Sequence, residues 1–323
     1  MAGSYPAAAG SALRDNGRMP ISLLSPALQT RGPGLSPLVL ACLAATWLVW
    51  GSTYLVIKYA LLSFPPFFQM GSRFLVAGLL LVWMRWRGAP LPGRTAWRNA
   101  LIVGSLMLGG GMGGTAVAEV SVGSGLVVAF IAVVPMMIAL VNRLFGIRPG
   151  RVEVAGIAVG LVGVLMLTQG AGFQASTAGL VAISVACLSW SIGSVLSQQR
   201  LPLAPGAMGF ASEMVCGGVV LLLLSLATGE RPEWPPVAEA VAAWAYLVVF
   251  GSLIAFNAYM VLLARAPTGL ASSYTFVNPV IAMLLGVALG GETVTSFEWA
   301  AVSVILVGVL LLIAVRRPAA HAD

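Results

Sequence analysis

Between residues 37 and 315 the chain repeats one pattern, a long apolar run followed by a short polar stretch carrying Pro, Gly or Arg. About 20 apolar residues cross the hydrocarbon core of a bilayer as one helix. The pattern predicts spanning helices near residues 38–60, 66–86, 97–118, 121–142 and 152–168, with five more near 178–199, 207–228, 239–264, 268–290 and 297–315. Residues 1–36 are rich in Gly, Pro, Ser and Ala and contain no run fit for the core of a signal peptide, so they read as a flexible tail.

The two halves match each other in order. QMGSRFLVAG (69–78) lies over GFASEMVCGG (209–218) at an offset of 140, pairing Ser72 with Ser212 and Gly78 with Gly218, and Trp50 meets Trp190 at the same offset. GLVVAFIAVVP (125–135) lies over GLASSYTFVNP (269–279), and Glu153 and Gly163 meet Glu298 and Gly308 after a one-residue insertion. Together the matches point to duplication. Five helices per copy is odd, so the second copy must enter the membrane from the opposite face, an arrangement many secondary transporters use. The expected fold is all-α integral membrane: ten transmembrane helices as two inverted five-helix repeats, residues 37–170 and 177–316, with tails at 1–36 and 317–323.

Charge sets the expected orientation. If the loops alternate, fourteen Arg fall on one side, against Lys58 and Arg231 on the other, and Arg73 lies within a helix. Both termini of this multi-pass protein are therefore expected in the cytoplasm. Composition agrees, at 59% hydrophobic and 8% charged residues with a mean hydropathy of +0.98, more apolar surface than a soluble domain hides. The net charge of +7 does not suggest nucleic acid, because the basic residues sit in short loops. Cys42, Cys187 and Cys216 lie within apolar segments and read as small buried hydrophobes.

The chain lacks several chemistries. Lys58, the only lysine, follows Ile57, so no Gly-Lys-Ser/Thr phosphate loop exists. The only histidine is His321, in the tail, which removes a Ser-His hydrolase and an HExxH zinc site. Asp15 and Asp323, the only aspartates, are in the tails, which excludes an intramembrane aspartyl dyad. No enzyme activity, metal or cofactor is expected.

Candidate residues come from polar groups inside apolar runs. Glu213 and Arg73 lie about 10 Å deep from opposite faces at 1.5 Å per residue, and intramembrane ionisable groups mark pathways by default. Snorkelling to an interface is the alternative. An axial gap of roughly 10 Å by the same rise argues against a direct Arg73–Glu213 pair and for separate gates or charge sites. Five glycines between Gly109 and Gly114, with Gly110 and Gly111 at the centre, let another backbone or a ligand come close. Pro135 and Pro279 interrupt matching helices and read as paired hinges. Trp50, Trp190, Asn257, Tyr274 and Asn278 are the expected substrate lining, Tyr274 and Asn278 sharing one helix face; interfacial aromatics and helix-to-helix hydrogen bonds are the alternative. The Gly156-xxx-Gly160 pattern and its apolar counterpart near 300–312 read as scaffold or as a homodimer surface of the fifth and tenth helices.

The motifs WGSTYLVIKYALLSFPPFFQMGSRFLVAG, RLFGI, GSVLSQQRL, FGSLIAFNAYM, SSYTFVNPV and LGGETVTSFEW occur in this order. In them the chain resembles the EamA-type transporters of the drug/metabolite transporter superfamily, most closely the YedA-like branch, over residues 38–315. The resemblance implies the ten-helix inverted-repeat fold, a cavity among the third, fourth, eighth and ninth helices with parts of the first and sixth, and efflux of small metabolites or toxic compounds. The first repeat departs from the second where Arg148 replaces Gly291-Glu292 and where glycines replace the aromatic and amide residues of the eighth helix, implying a chemically asymmetric cavity.

The leading expectation is an exporter of neutral or aromatic amino acids working by alternating access. The alternatives are a lipophilic-cation exporter selected by Glu213 and, from another class, a membrane assembly or signalling factor with no solute path.

Overall fold

A computed structural model of the chain describes residues 35–122, 127, 130–167, 169, 176–290 and 295–314. The expected tails up to residue 34 and beyond 316, and the Gly291-Glu292 pair, lie outside these residues. Every regular element among them is helical: α1 (Pro37–Ala60), α2 (Pro66–Trp86), α3 (Arg94–Glu119), α4 (Val134–Leu144), α5 (Arg151–Leu167), α6 (Thr177–Gln199), α7 (Ala207–Ala227), α8 (Ala238–Arg265), α9 (Thr268–Ala271), α10 (Tyr274–Gly290) and α11 (Ser296–Ala314).

Seven of these, α1, α2, α3, α6, α7, α8 and α11, are long and apolar enough to cross a membrane. α4 is shorter, and the first part of the helix expected over 121–142 falls partly on residues outside the described ones. The helix expected over 268–290 is divided, with a turn at Ser272–Ser273 separating α9 from α10. Leu48, Leu79, Leu140, Leu226 and Leu310 are exposed, an outer surface suited to hydrocarbon and not to water.

Apolar burial gives little drive to helix association inside lipid, so close approach of small residues must supply it. Two helix pairs do this. In α2 and α7 a Cβ at Gly71 would meet Leu222, one at Gly78 would meet Val215, and one at Gly218 would meet Leu75, all in a single antiparallel register. In α5 and α11 a Cβ at Gly163 would lie 2.7 Å from Ile305, and one at Gly308 would lie 2.6 Å from the Gly160 amide nitrogen. The glycine face of α5 that the sequence left open between scaffold and dimer surface thus packs inside the chain. Around this pair Phe276, Val280, Val302, Ile305, Val309 and Leu312 form an apolar core.

α3 and α8 are not regular. Ser105–Gly113 and Leu247–Phe256 are π-helical, wound more widely with i→i+5 hydrogen bonds. Both segments carry the same three residues, Gly104-Ser105-Leu106 and Gly251-Ser252-Leu253, at or next to the wide turns.

Two helix starts are closed by carboxylates from distant segments. Glu230 accepts from the Phe67 and Phe68 amides at 3.0 and 2.8 Å, satisfying first-turn donors of α2 that have no partner within the helix. Gly229, at φ +70°, supplies the left-handed turn just before it. Glu153 likewise accepts from the Gly269 amide at 3.0 Å. Loss of such a cap costs about 1 kcal/mol, so Glu230→Ala is expected to lower thermal stability in detergent by about that much, with Glu230→Gln recovering part of it.

Candidate transport cavity

A cluster of aromatic rings stands where α1, α6, α8 and α10 meet. The Trp50 ring lies 4.6 Å from Tyr274, 5.3 Å from Tyr259 and 5.7 Å from Trp190, centroid to centroid. Tyr259 is also 5.3 Å from Trp190, and Phe256 is 6.0 Å from Trp190. Most pairs are edge-on or tilted, the geometry favoured by the ring quadrupole. Trp50 Nε1 donates to the Gly251 carbonyl at 3.3 Å, and Tyr259 shares a hydrogen bond with Ser194 at 3.1 Å. Trp190 Nε1 is buried without a partner.

Trp50, Trp190 and Tyr274 wall a cavity of about 50 Å³ lined also by Thr53, Tyr54, Gly111, Thr115 and Cys187, with Phe256 and Tyr259 packed behind them. That holds a few waters and no metabolite, so this conformation is closed around its centre. Gly110 and Gly111 explain how the wall forms. A Cβ at Gly110 would run into the Ser189 side chain, and one at Gly111 would lie 3.0 Å from Trp190. Ser189 Oγ donates to the Leu106 carbonyl at 2.7 Å, so α6 satisfies part of the widened backbone it presses against.

Larger hollows open at the two ends of the bundle. One, about 440 Å³, is lined by Lys58, Ser63, Glu119, Arg231 and Glu233. The other, about 790 Å³, is lined by Gln198, Phe210, Asn257, Arg265 and Thr268.

The expected site residues therefore divide. Trp50, Trp190 and Tyr274 come together at the centre, and Asn278 Nδ2 donates to Tyr54 Oη at 3.4 Å from just behind that wall. Asn257 does not join them: it faces the 790 Å³ hollow, because one residue along a helix turns the side chain about 100° away from the Phe256–Tyr259 face. Phe256 and Tyr259 are the residues that sequence reasoning missed on α8. Their i, i+3 spacing was the available signal.

Arg73 and Glu213 are both buried, at 1% and 0% exposure, and Arg73 Nε and Nη1 and both Glu213 carboxylate oxygens have no hydrogen-bond partner. The α2–α7 register sets Glu213 level with residue 80 of α2, so the two charges are offset by about 10 Å along the axis at 1.5 Å per residue. Each lies against the glycine of a Gly-Ser-Leu triplet. A Cβ at Gly104 would be 3.3 Å from Glu213 Cγ, and one at Gly251 would be 3.9 Å from Arg73 Nη2. Gln69, one turn from Arg73 and fully buried, also leaves both amide atoms unpartnered.

The prolines are not equivalent. Pro279 lies inside α10, whereas Pro135 sits in the first turn of α4, where its missing N–H would be unpaired anyway. Glu119 went unnoticed in the sequence because it follows the glycine run at the end of α3. It is 5% exposed, and among the described residues both its oxygens lack a partner.

A lipid-facing helical bundle with a closed aromatic cavity between two open ends defines a membrane transporter. The EamA-like transporter family matches residues 35–169 and again residues 177–314, and the chain belongs to this family. It is 42% identical over 272 residues to "Uncharacterized inner membrane transporter YedA" of Escherichia coli K12, covering 84% of this chain and 89% of that protein. It is 23% identical over 283 residues to "Probable amino-acid metabolite efflux pump" of Salmonella typhimurium LT2, covering 81% and 90% respectively. A solved crystal structure shares the fold with a TM-score of 0.72 at 22% identity, over 86% of this chain and 99% of that one.

Proposed function

We propose that the protein is an inner-membrane exporter of small metabolites, neutral or aromatic amino acids first among them, that works by alternating access. The observation that carries this reading is the narrow aromatic cavity, lined from both family-matched segments and lying between two larger hollows. Its architecture is two inverted five-helix repeats, residues 37–170 and 177–316, with ten spans and both termini cytoplasmic. The double family match, the antiparallel glycine registers and the recurrence of Gly-Ser-Leu beside Arg73 and Glu213 all support that architecture. The placement in the inner membrane and the amino-acid substrate lean on the names of the two relatives.

In this reading Trp50, Trp190, Tyr259 and Tyr274 offer stacking surface and Asn278 an amide. Glu213 draws an ammonium group or holds a proton, and Arg73 with Gln69 draws a carboxylate or holds a gate; the offset of about 10 Å along the axis is too long for one α-amino acid to bridge, so the two charges act separately. Asn257 serves the 790 Å³ hollow at the cytoplasmic end. Gly110, Gly111, Pro135 and Pro279 are where the helices bend between states, and outward faces of α5 and α11 remain candidates for a homodimer.

The test is counterflow of labelled phenylalanine and leucine in liposomes, against tetraphenylphosphonium as a lipophilic cation. Hydrogen bonds to charged groups contribute about 1.5 to 3 kcal/mol, so Glu213→Gln is expected to slow amino-acid counterflow by roughly tenfold or more. If that variant keeps amino-acid counterflow and loses only the cation, the protein is a multidrug exporter. If the native protein moves none of these probes, the non-transporting reading gains.

A further inference from the structure

Glu119 has no part in the cavity wall and no partner, yet its surroundings are specific. It is the last residue of α3, where the helix dipole opposes a negative charge. It is nine-tenths buried, both its acceptor oxygens are themselves buried and unpartnered among the described residues, and it borders the 440 Å³ vestibule together with Lys58, Arg231 and Glu233. One turn back on the same helix face, Thr115 lines the central cavity, and so does Ile57, the neighbour of Lys58. The carboxylate therefore stands at the neck between vestibule and cavity. A buried, unpaired carboxylate at the negative end of a helix is costly unless it takes up a proton or a cation comes to it, and a cation is what the vestibule can deliver.

Three features say what kind of cation fits. The site offers two oxygens on one carboxylate and no gathered set of ligands for a metal; among the described residues no three His, Cys, Asp or Glu side chains come together. The guanidinium of Arg231 is planar and exposed on the vestibule rim, whereas Lys58 carries a compact ammonium on a flexible stem at the end of α1. Beyond the neck lie aromatic faces, which accept the apolar remainder of an amine.

We propose that the vestibule is an ammonium-binding site in which Glu119 is the acceptor. It takes the ammonium group of an amine-bearing solute passing between the cavity and this end of the bundle or, when none is present, the side-chain ammonium of Lys58. The solute half of this proposal rests on the transport reading above; the Glu119 seat itself does not.

Cys187, on the cavity wall, reports passage through the neck without any transport assay. In detergent-purified protein with Cys42→Ala and Cys216→Ala, Cys187 is labelled with aminoethyl methanethiosulfonate, a primary ammonium, and with its anionic sulfonatoethyl counterpart. Each rate is normalised to that with a free thiol. The expected preference for the ammonium reagent is about tenfold or more, as in clefts that focus one sign of charge. Glu119→Gln should bring the ratio close to one, Glu119→Asp should give an intermediate ratio, and Glu233→Gln should change it far less. Lys58→Gln separates the two sources: faster ammonium labelling makes Lys58 the resident occupant, and an unchanged rate leaves the seat to incoming amines. An unchanged ratio in both Glu119 variants, or an equal drop in Glu233→Gln, overturns the proposal. Failure of every counterflow probe would sink the transport reading and leave this result standing.

Discussion

Trp50→Ala is expected to abolish counterflow of every solute the protein carries and to lower its melting temperature in detergent. Trp50 is 5% exposed, touches three other rings within 5.7 Å and anchors the α8 backbone through Gly251. Truncating a buried Trp in a soluble core costs about 3 to 5 kcal/mol. Between helices already in lipid the water-transfer share falls away and packing remains, so the loss should lie near the lower end. The functional effect should exceed the stability effect, because the vacated ring leaves the central wall open to both hollows. Trp50→Phe, which keeps one ring but loses the Gly251 hydrogen bond and part of the indole's bulk, is expected to retain part of the activity and stability. If Trp50→Phe were as inactive as Trp50→Ala, an aromatic ring at this position would not be enough, and the full indole with its hydrogen bond would be required.

A comparably large effect is expected at Gly308, where the target is the scaffold. A methyl group there would sit 2.6 Å from the Gly160 nitrogen, 2.8 Å from its Cα and 3.0 Å from the Gly156 carbonyl. All three are backbone atoms of a helix and cannot rotate aside, so α5 and α11 must separate along their whole seam. Overpacking of this kind costs about 1 to 3 kcal/mol, and more where backbone is involved. Gly308→Ala should therefore reduce folded yield and thermal stability markedly. Gly251→Ala is the control, since its methyl would meet nothing nearer than 3.6 Å. Equal losses at the two positions would mean that the seam is not what holds these helices together.

The membrane class and most helix ends were legible because they depend on local signals. Pro66 in the first turn of α2 and the apolar runs bounded by Arg and Pro set spans to within a few residues of those observed. The central rings were partly legible, since Trp50 and Trp190 recur at a fixed offset and Tyr274 stands among polar neighbours in an apolar run. Polarity drew attention to Asn257, which lines the 790 Å³ hollow, whereas Phe256 and Tyr259, which join the ring cluster, look like ordinary core in the sequence. The offset of Arg73 and Glu213 followed from rise per residue alone. Their glycine partners did not, because α2 with α8 and α7 with α3 are contacts between distant segments with no trace in local periodicity. Glu119 was hidden for a related reason: its significance lies in having no partner, which only three-dimensional neighbours reveal. The wide turns of α8 had no glycine run to announce them, unlike those of α3.

The carboxylate that closes the start of α2 also has a consequence in time. Glu230 lies 163 residues after Phe67, and ribosomes add about 5 to 20 residues per second. The opening amides of α2 thus spend roughly 8 to 30 seconds at that rate in the translocation machinery before their acceptor is made. Until then water or lipid headgroups must serve them. The first hairpin of the newborn chain is accordingly a provisional structure, and its final seat is set only when the seventh helix has been delivered.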